Sequence, residues 1–221
     1  MSAAPSESLA AEAYRRIIDM ILRGALPTGT ALQEARLGQQ LGMSRTPVRE
    51  AIGRIESEGL ALRKGRVLHV GRLTRHEVEG IFILRLDLEP LAARMATALP
   101  HAAFDAMEAR VRGLMDGSSD EDLWAVDNDF HGLLAGAANN RAMSEVIADL
   151  RRRTTMFDRA QVPDRYQRGC QEHLGILEAL RSGNGDLAAQ RMHAHLERAR
   201  DAILRRLDDL QDQAMAEGPP A

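Results

Sequence analysis

The stretch Ser44-Arg45-Thr46-Pro47-Val48-Arg49-Glu50-Ala51-Ile52 constrains this chain more than any other. It follows the short amphipathic run 37–43, in which Gly42 can take the left-handed backbone of a sharp turn. Ser44 then reads as an N-cap, and Pro47 falls in the first helical turn, where a missing N–H costs little. Val48, Ile52 and Ile55 recur at helical spacing toward a core, while Arg45, Thr46 and Arg49 gather on the opposite side. A short helix, a glycine turn and a second helix opening with arginines make a helix-turn-helix. Its second helix would enter a DNA major groove by the N-terminal end. An ordinary helix pair with solvated arginines is the plainer alternative.

Two short β-prone runs follow, Leu60-Ala61-Leu62-Arg63 and Val67-Leu68-His69-Val70, joined by the basic turn Lys64-Gly65-Arg66. They predict a wing, a hairpin whose tip reaches phosphates or the minor groove. Together with Pro27-Thr28-Gly29-Thr30-Ala31-Leu32 and Glu58-Gly59-Leu60, these motifs resemble the winged-helix domain of GntR-type bacterial transcription regulators over roughly residues 8–72. The resemblance implies a DNA-binding regulator. One departure from the family pattern is Ala35, where many relatives carry a charged residue and Arg36 stands next door. The DNA contacts expected are Arg45 and Arg49 on guanine edges, with Arg36, Ser44, Thr46, Lys64 and Gly65 contributing mainly to phosphate contacts.

A formal net charge of −3 would argue against a nucleic-acid partner if it were spread evenly. It is not: residues 1–72 hold 11 Lys+Arg and 7 Asp+Glu, a balance of +4, and residues 73–221 hold 18 and 25, a balance of −7. A basic head on an acidic body suits one domain that meets phosphates and one that does not. No apolar run reaches the length of a membrane span, and the N-terminus lacks a basic-then-apolar signal, so a cytoplasmic protein without a membrane partner is expected. The single Cys170 can form no internal disulfide.

A helix at residues 9–23 should pack on the winged-helix core. Thr74 and Glu77 spell a capping box, and from there to about residue 213 the pattern is helical with almost no β signal. Six helices are predicted, over 75–98, 101–116, 120–137, 141–159, 164–182 and 184–213. They are punctuated by Pro100, Gly117-Ser118-Ser119, Asn139-Asn140, Val162-Pro163 and Ser182-Gly183-Asn184-Gly185. Residues 1–7 and 218–221 read as frayed ends. The fold class is therefore mostly α, a winged helix-turn-helix (8–72) followed by an antiparallel helical bundle (74–213).

Six of the seven histidines lie in that bundle. Asp127 and His131 are four apart beside Leu123, Phe130 and Leu134. His173 shares a stripe with Cys170, Leu177 and Leu180, and His195 shares one with Met192, Ala199 and Ile203. Three helices thus turn imidazole or carboxylate inward, a donor set that borderline divalent metals prefer. His76, His101 and His193 read as exposed. The bland alternative is a group of core polar residues hydrogen-bonded to one another.

The segment Ile83-Leu84-Arg85-Leu86-Asp87-Leu88-Glu89-Pro90-Leu91-Ala92-Ala93-Arg94, then Asp127-Asn128-Asp129-Phe130-His131, Glu172-His173-Leu174-Gly175-Ile176-Leu177 and His195-Leu196, is similar to the FCD effector domain of the FadR branch, over about residues 74–210. A six-helix count is closer to the VanR group. The resemblance implies a divalent metal, zinc foremost with nickel or manganese as alternatives, on Asp127, His131, His173 and His195. Arg85 lies on the inward stripe Val78, Ile81, Phe82, Arg85, Leu88, Ala92, where a guanidinium can grip a carboxylate in two-pronged fashion. Pairing with Asp87 or Glu89 is the structural alternative.

Together these features predict a homodimeric repressor, not an enzyme. It would bind double-stranded DNA at an inverted-repeat operator and release it when a small organic acid binds at the metal and Arg85. Two rivals remain at this level. One is a metal sensor in which the ion is the signal. The other is a metal-dependent hydrolase fused to a DNA-binding head, for which Asp129 and Glu172 lie near the ligands but should point off their faces.

Overall fold

The computed structural model describes residues 8–22, 25–57, 59–71, 74–116, 123–161 and 165–217. The expected frayed ends, the link 117–119, helix residues 23 and 120–122, Glu58, Arg72 and the Val162-Pro163 break lie outside them. The chain divides into two compact units, Met1–Leu73 and Thr74–Ala221.

The first unit holds α1 (Leu9–Leu22), α2 (Glu34–Leu41), α3 (Arg45–Ser57) and a hairpin of β1 (Ala61–Lys64) and β2 (Val67–Val70). Helix α1 packs chiefly on α3, burying Ala13, Ile17 and Ile21 against Val48, Ala51 and Ile55. Gly42 closes α2 at φ +68°, and its N–H reaches the Gly38 and Gln39 carbonyls. The helix starts at Glu34, three residues earlier than the apolar pattern suggests, and the turn at Gly42-Met43 lies outside it. An acidic first residue favours that earlier start, since it meets the positive end of the helix dipole.

The wing is shifted by one residue from its sequence expectation. The Leu60 N–H is taken by the Ile55 carbonyl at 3.0 Å, so Leu60 finishes the helix exit and pairing begins at Ala61 opposite Val70. Lys64 pairs with Val67, which leaves Gly65 (φ +62°) and Arg66 as a two-residue tip. Ala31 adds a bridge to His69, so the segment before α2 borders the hairpin, a feature the sequence pattern did not announce.

The second unit holds α4 (Arg75–Met95) with a 3-10 turn (Ala96–Ala98), α5 (His101–Asp116), α6 (Leu123–Ala137), α7 (Arg141–Gln161), α8 (Tyr166–Arg181) and α9 (Gly185–Glu217). The capping box is present: Thr74 Oγ1 accepts from the Glu77 N–H at 3.2 Å, and Glu77 Oε2 accepts from the Thr74 N–H at 2.9 Å. Helices α4 and α9 pack most extensively, with α8 on α9, α5 on α8, and α6 against both α4 and α7. Phe82, Phe104, Phe130, Ile176, Leu177 and Leu196 are fully buried between them. Among the described residues, no helix is long and apolar enough to cross a membrane.

Candidate metal centre and nucleic-acid interface

Helices α6, α8 and α9 each turn one imidazole into the bundle interior. His131, His173 and His195 are 2–3 % exposed, and one ring nitrogen of each lies within 4.8 Å of the others. A shared ion, about 2.0–2.1 Å from each nitrogen, would tighten that spacing. Phe130 stacks on His173 with ring centroids 4.0 Å apart, fixing that ring from its other face.

Two of the imidazoles are oriented from behind. His131 Nδ1 is 2.5 Å from Glu89 Oε2, and His195 Nδ1 is 2.7 Å from Glu172 Oε2. A carboxylate there holds the proton on Nδ1 and leaves the Nε2 lone pair for the interior. The Nε2 atoms of His131 and His173 are buried and have no hydrogen-bond partner among the described residues. Orphaned buried acceptors are costly, and a cation is the partner that three neutral imidazoles would accept. The donor set therefore fits a divalent metal.

Electrostatics keep the imidazoles neutral. Burial, aided by the Arg151 charge, pushes His131 down to about 4, and burial also lowers His173 and His195. Burial opposes ionisation of Glu89, but the Arg85 charge, the hydrogen bond from His131 and the Arg151 charge outweigh it and hold the carboxyl well below its usual range. The same contest, won chiefly by Arg151, keeps Asp127 ionised. Burial and the nearby Asp127 push the Cys170 thiol up to about 11, so it is an inert core group.

Asp127, the fourth expected ligand, stands at the edge of the triad. Its Oδ1 is 3.6 Å from His173 Nε2, while its Oδ2 accepts from Arg151 Nη2 at 2.5 Å. Arg85 is buried, and of the two carboxylates expected as alternative partners it pairs with Glu89. Its Nε donates to Glu89 Oε1 at 2.6 Å and its Nη1 to Thr154 Oγ1 at 2.8 Å. Asp87, the other partner weighed for it, is exposed. His76, His101 and His193 are exposed as expected.

The expectation that Glu172 points off the site is wrong. Its carboxylate sits on His195 and is clamped by Arg165 and Arg198, because α9 lies alongside α8 and brings a partner 23 residues away. No local spacing reveals that contact. Arg151 was missed for another reason: it opens the run Arg151-Arg152-Arg153, which reads as a solvated face. The signal was present, since Arg151 shares the helical spacing of Ile147, Leu150 and Thr154, all buried. Asp129 does point outward, to Arg110.

In the first unit Ser44, Arg45, Thr46 and Arg49 stand exposed at the start of α3, with Arg36 exposed on α2 and Lys64 and Gly65 exposed at the wing. Arg49 Nε donates to Glu34 Oε1 at 3.0 Å, and Arg63 makes two 2.8 Å bonds to Glu56. Both pairs border a cleft between α3 and the hairpin, which Arg66 also lines. Arg54 lies over the Tyr14 ring at 3.9 Å and serves helix packing instead.

The model of the gntR family of bacterial regulatory proteins matches residues 9–67, and that of the FCD domain matches residues 80–198. The HTH-type transcriptional repressor RspR of Escherichia coli K12 is 25 % identical over 209 residues, which cover 90 % of each chain. Among solved structures, E. coli McbR/YncC superposes with a TM-score of 0.72 at 22 % identity, covering 90 % of this chain and 98 % of that one. The metal-free FCD domain of TM0439 superposes with a TM-score of 0.55 at 15 % identity, over 63 % of this chain and 99 % of that one. Both likenesses concern the fold.

Proposed function

Because the chain belongs to the GntR family of transcriptional regulators and carries an FCD domain, we propose that it is a repressor released from DNA by a small carboxylate bound at a metal in the helical unit. The families and relatives are transcriptional regulators, not enzymes, which sets the hydrolase reading aside. The observation that carries the metal reading is the pair of orphaned Nε2 atoms inside a triad of neutral imidazoles, two of them held from behind by carboxylates. His131, His173 and His195 would hold the ion, with Asp127 the nearest fourth donor. Zinc suits this nitrogen-rich set best; nickel and manganese are the alternatives.

When bound, the metal supplies positive charge for a carboxylate oxygen. Arg85 would take the same carboxylate in two-pronged fashion. GntR regulators bind DNA, and an inverted-repeat operator read by a homodimer places one α3 in each of two successive major grooves. Support for a second copy comes from α4, where Leu84, Leu91 and Met95 form an exposed apolar stripe at helical spacing. An effector bound to α4 would then shift the dimer away from the spacing its operator requires.

The engagement of Arg85 by Glu89 favours one competing reading, in which the metal itself is the signal. Metal analysis and melting curves of the full chain test the site. Chelator should lower the melting temperature, and zinc, nickel or manganese should restore it, with His173→Ala indifferent to both. A wild-type protein without bound ion and without thermal response to added ions would return the triad to an ordinary polar core. Operator release by metal alone, with no acid present, would favour the sensor.

A further inference from the structure

Glu89 touches both halves of the candidate site. It lies on α4 one turn after Arg85 and is 2 % exposed. Its Oε1 holds Arg85 Nε at 2.6 Å, its Oε2 holds His131 Nδ1 at 2.5 Å, and Arg151 Nη1 stands 3.9 Å from Oε2. One oxygen thus prepares a metal ligand, and the other occupies the guanidinium assigned above to the effector.

We propose that Glu89 is a positioning residue with two opposed effects: it strengthens His131 as a metal ligand, and it competes with the effector's carboxylate for Arg85. The proposal rests on the reading of the site given above. A carboxylate arriving at Arg85 meets one already seated there, so it must displace Glu89 or share the guanidinium with it. That rivalry sets a threshold concentration for the effector. As Arg85 is drawn away, the Glu89 charge falls more fully on His131 and Arg151, which makes His131 the better ligand. Anion and metal therefore favour one another, each by the same factor.

Glu172 is the internal control. It supports His195 from Nδ1 in the same manner, yet its remaining partners are Arg165 and Arg198 rather than Arg85. It should have the first effect without the second.

The test uses the full chain with cobalt(II) as the metal probe and acetate as the anion probe, read by the visible absorption of the bound cobalt. Glu89→Gln and Glu172→Gln should each bind cobalt about 10–100-fold more weakly than wild type. In cobalt-saturated protein, Glu89→Gln should take acetate roughly tenfold more tightly, whereas Glu172→Gln should match wild type. Weaker metal with tighter anion is a pair of opposite shifts that loosened packing does not produce. A Glu89→Gln protein that loses both affinities, changes neither, or behaves like Glu172→Gln overturns the role of Glu89 while leaving the metal site standing. A wild-type protein that binds no cobalt overturns the site and this proposal together. Should Glu89→Gln not fold, Glu89→Asp keeps the charge but withdraws it by one methylene. It must show the same opposed shifts, and parallel ones overturn the proposal.

Discussion

Arg49 in the first unit has a side chain 67 % exposed and paired with Glu34, whereas Arg85 and Arg151 in the second have side chains 5 % and 6 % exposed and are paired with Glu89 and Asp127. The chemistry of the pairs is the same and their consequences differ. A surface pair is worth about 0–1 kcal/mol, so a phosphate or a base edge can replace the carboxylate at little cost. A buried pair cannot lose one member without leaving an uncompensated charge. Exchangeable cations suit a unit that meets many DNA sequences. A locked network suits one that must hold a few donor atoms in register until a specific ligand arrives.

Removing one buried cation is the harshest way to break this contrast. Arg151→Ala leaves Asp127 without its 2.5 Å partner and removes a charge 3.9 Å from Glu89. A stability loss of about 3–5 kcal/mol is expected for the helical unit, measured by urea denaturation of the full chain. Arg49→Ala should change stability by no more than about 0.5 kcal/mol. A loss below about 1 kcal/mol for Arg151→Ala would place the buried network on the same footing as the surface pairs.

Acid should expose the contrast next. His131 titrates near 4 in the folded chain, lowered by burial first and by Arg151 second, against about 6.5 when unfolded. Between those values the unfolded state binds the extra proton. The stability contributed by a neutral His131 is therefore complete above about pH 6.5 and lost as pH falls toward 4. That loss amounts to about 3 kcal/mol for His131 alone, and the lowered His173 and His195 add to it with the same sign. Urea midpoints measured in chelator from pH 7.5 to pH 4.5 check this. A flat profile would mean that the imidazoles are not held neutral.

The elements themselves were largely legible. Thr74 and Glu77 announce the start of α4 by local chemistry alone, and residues 101–116 read as α5 end to end. Where the reading slipped, a backbone bond had overridden a propensity, as when the Ile55 carbonyl claimed Leu60 from the wing. The inward histidines were legible because each sits in an apolar stripe of its own helix. What each histidine leans on was not. Glu172 meets His195 across two helices, Glu89 meets His131 across 42 residues, and Arg151 hides at the head of an arginine run. Periodicity reports which face a residue occupies, and only packing reports which other face it meets.

The smallest effects belong to the surface of the first unit, where the two kinds of cation should separate. Arg49→Ala removes a guanidinium assigned to a guanine edge, costing about 1–3 kcal/mol of specific binding and little of non-specific binding. An unchanged ratio of the two in gel-shift titrations would sink the base-reading role. Lys64 ends β1 beside the Gly65-Arg66 tip and is exposed, and the role proposed for it is a phosphate contact rather than a base contact. Phosphate carries no sequence information, so Lys64→Ala should weaken operator and random DNA alike. Losing one counterion-releasing contact should also flatten the plot of log affinity against log salt, its slope shrinking by about 0.9. If Lys64→Ala instead weakened only the operator, the wing would be reading sequence. The division between a base-reading helix and a backbone-holding hairpin would then have to be redrawn.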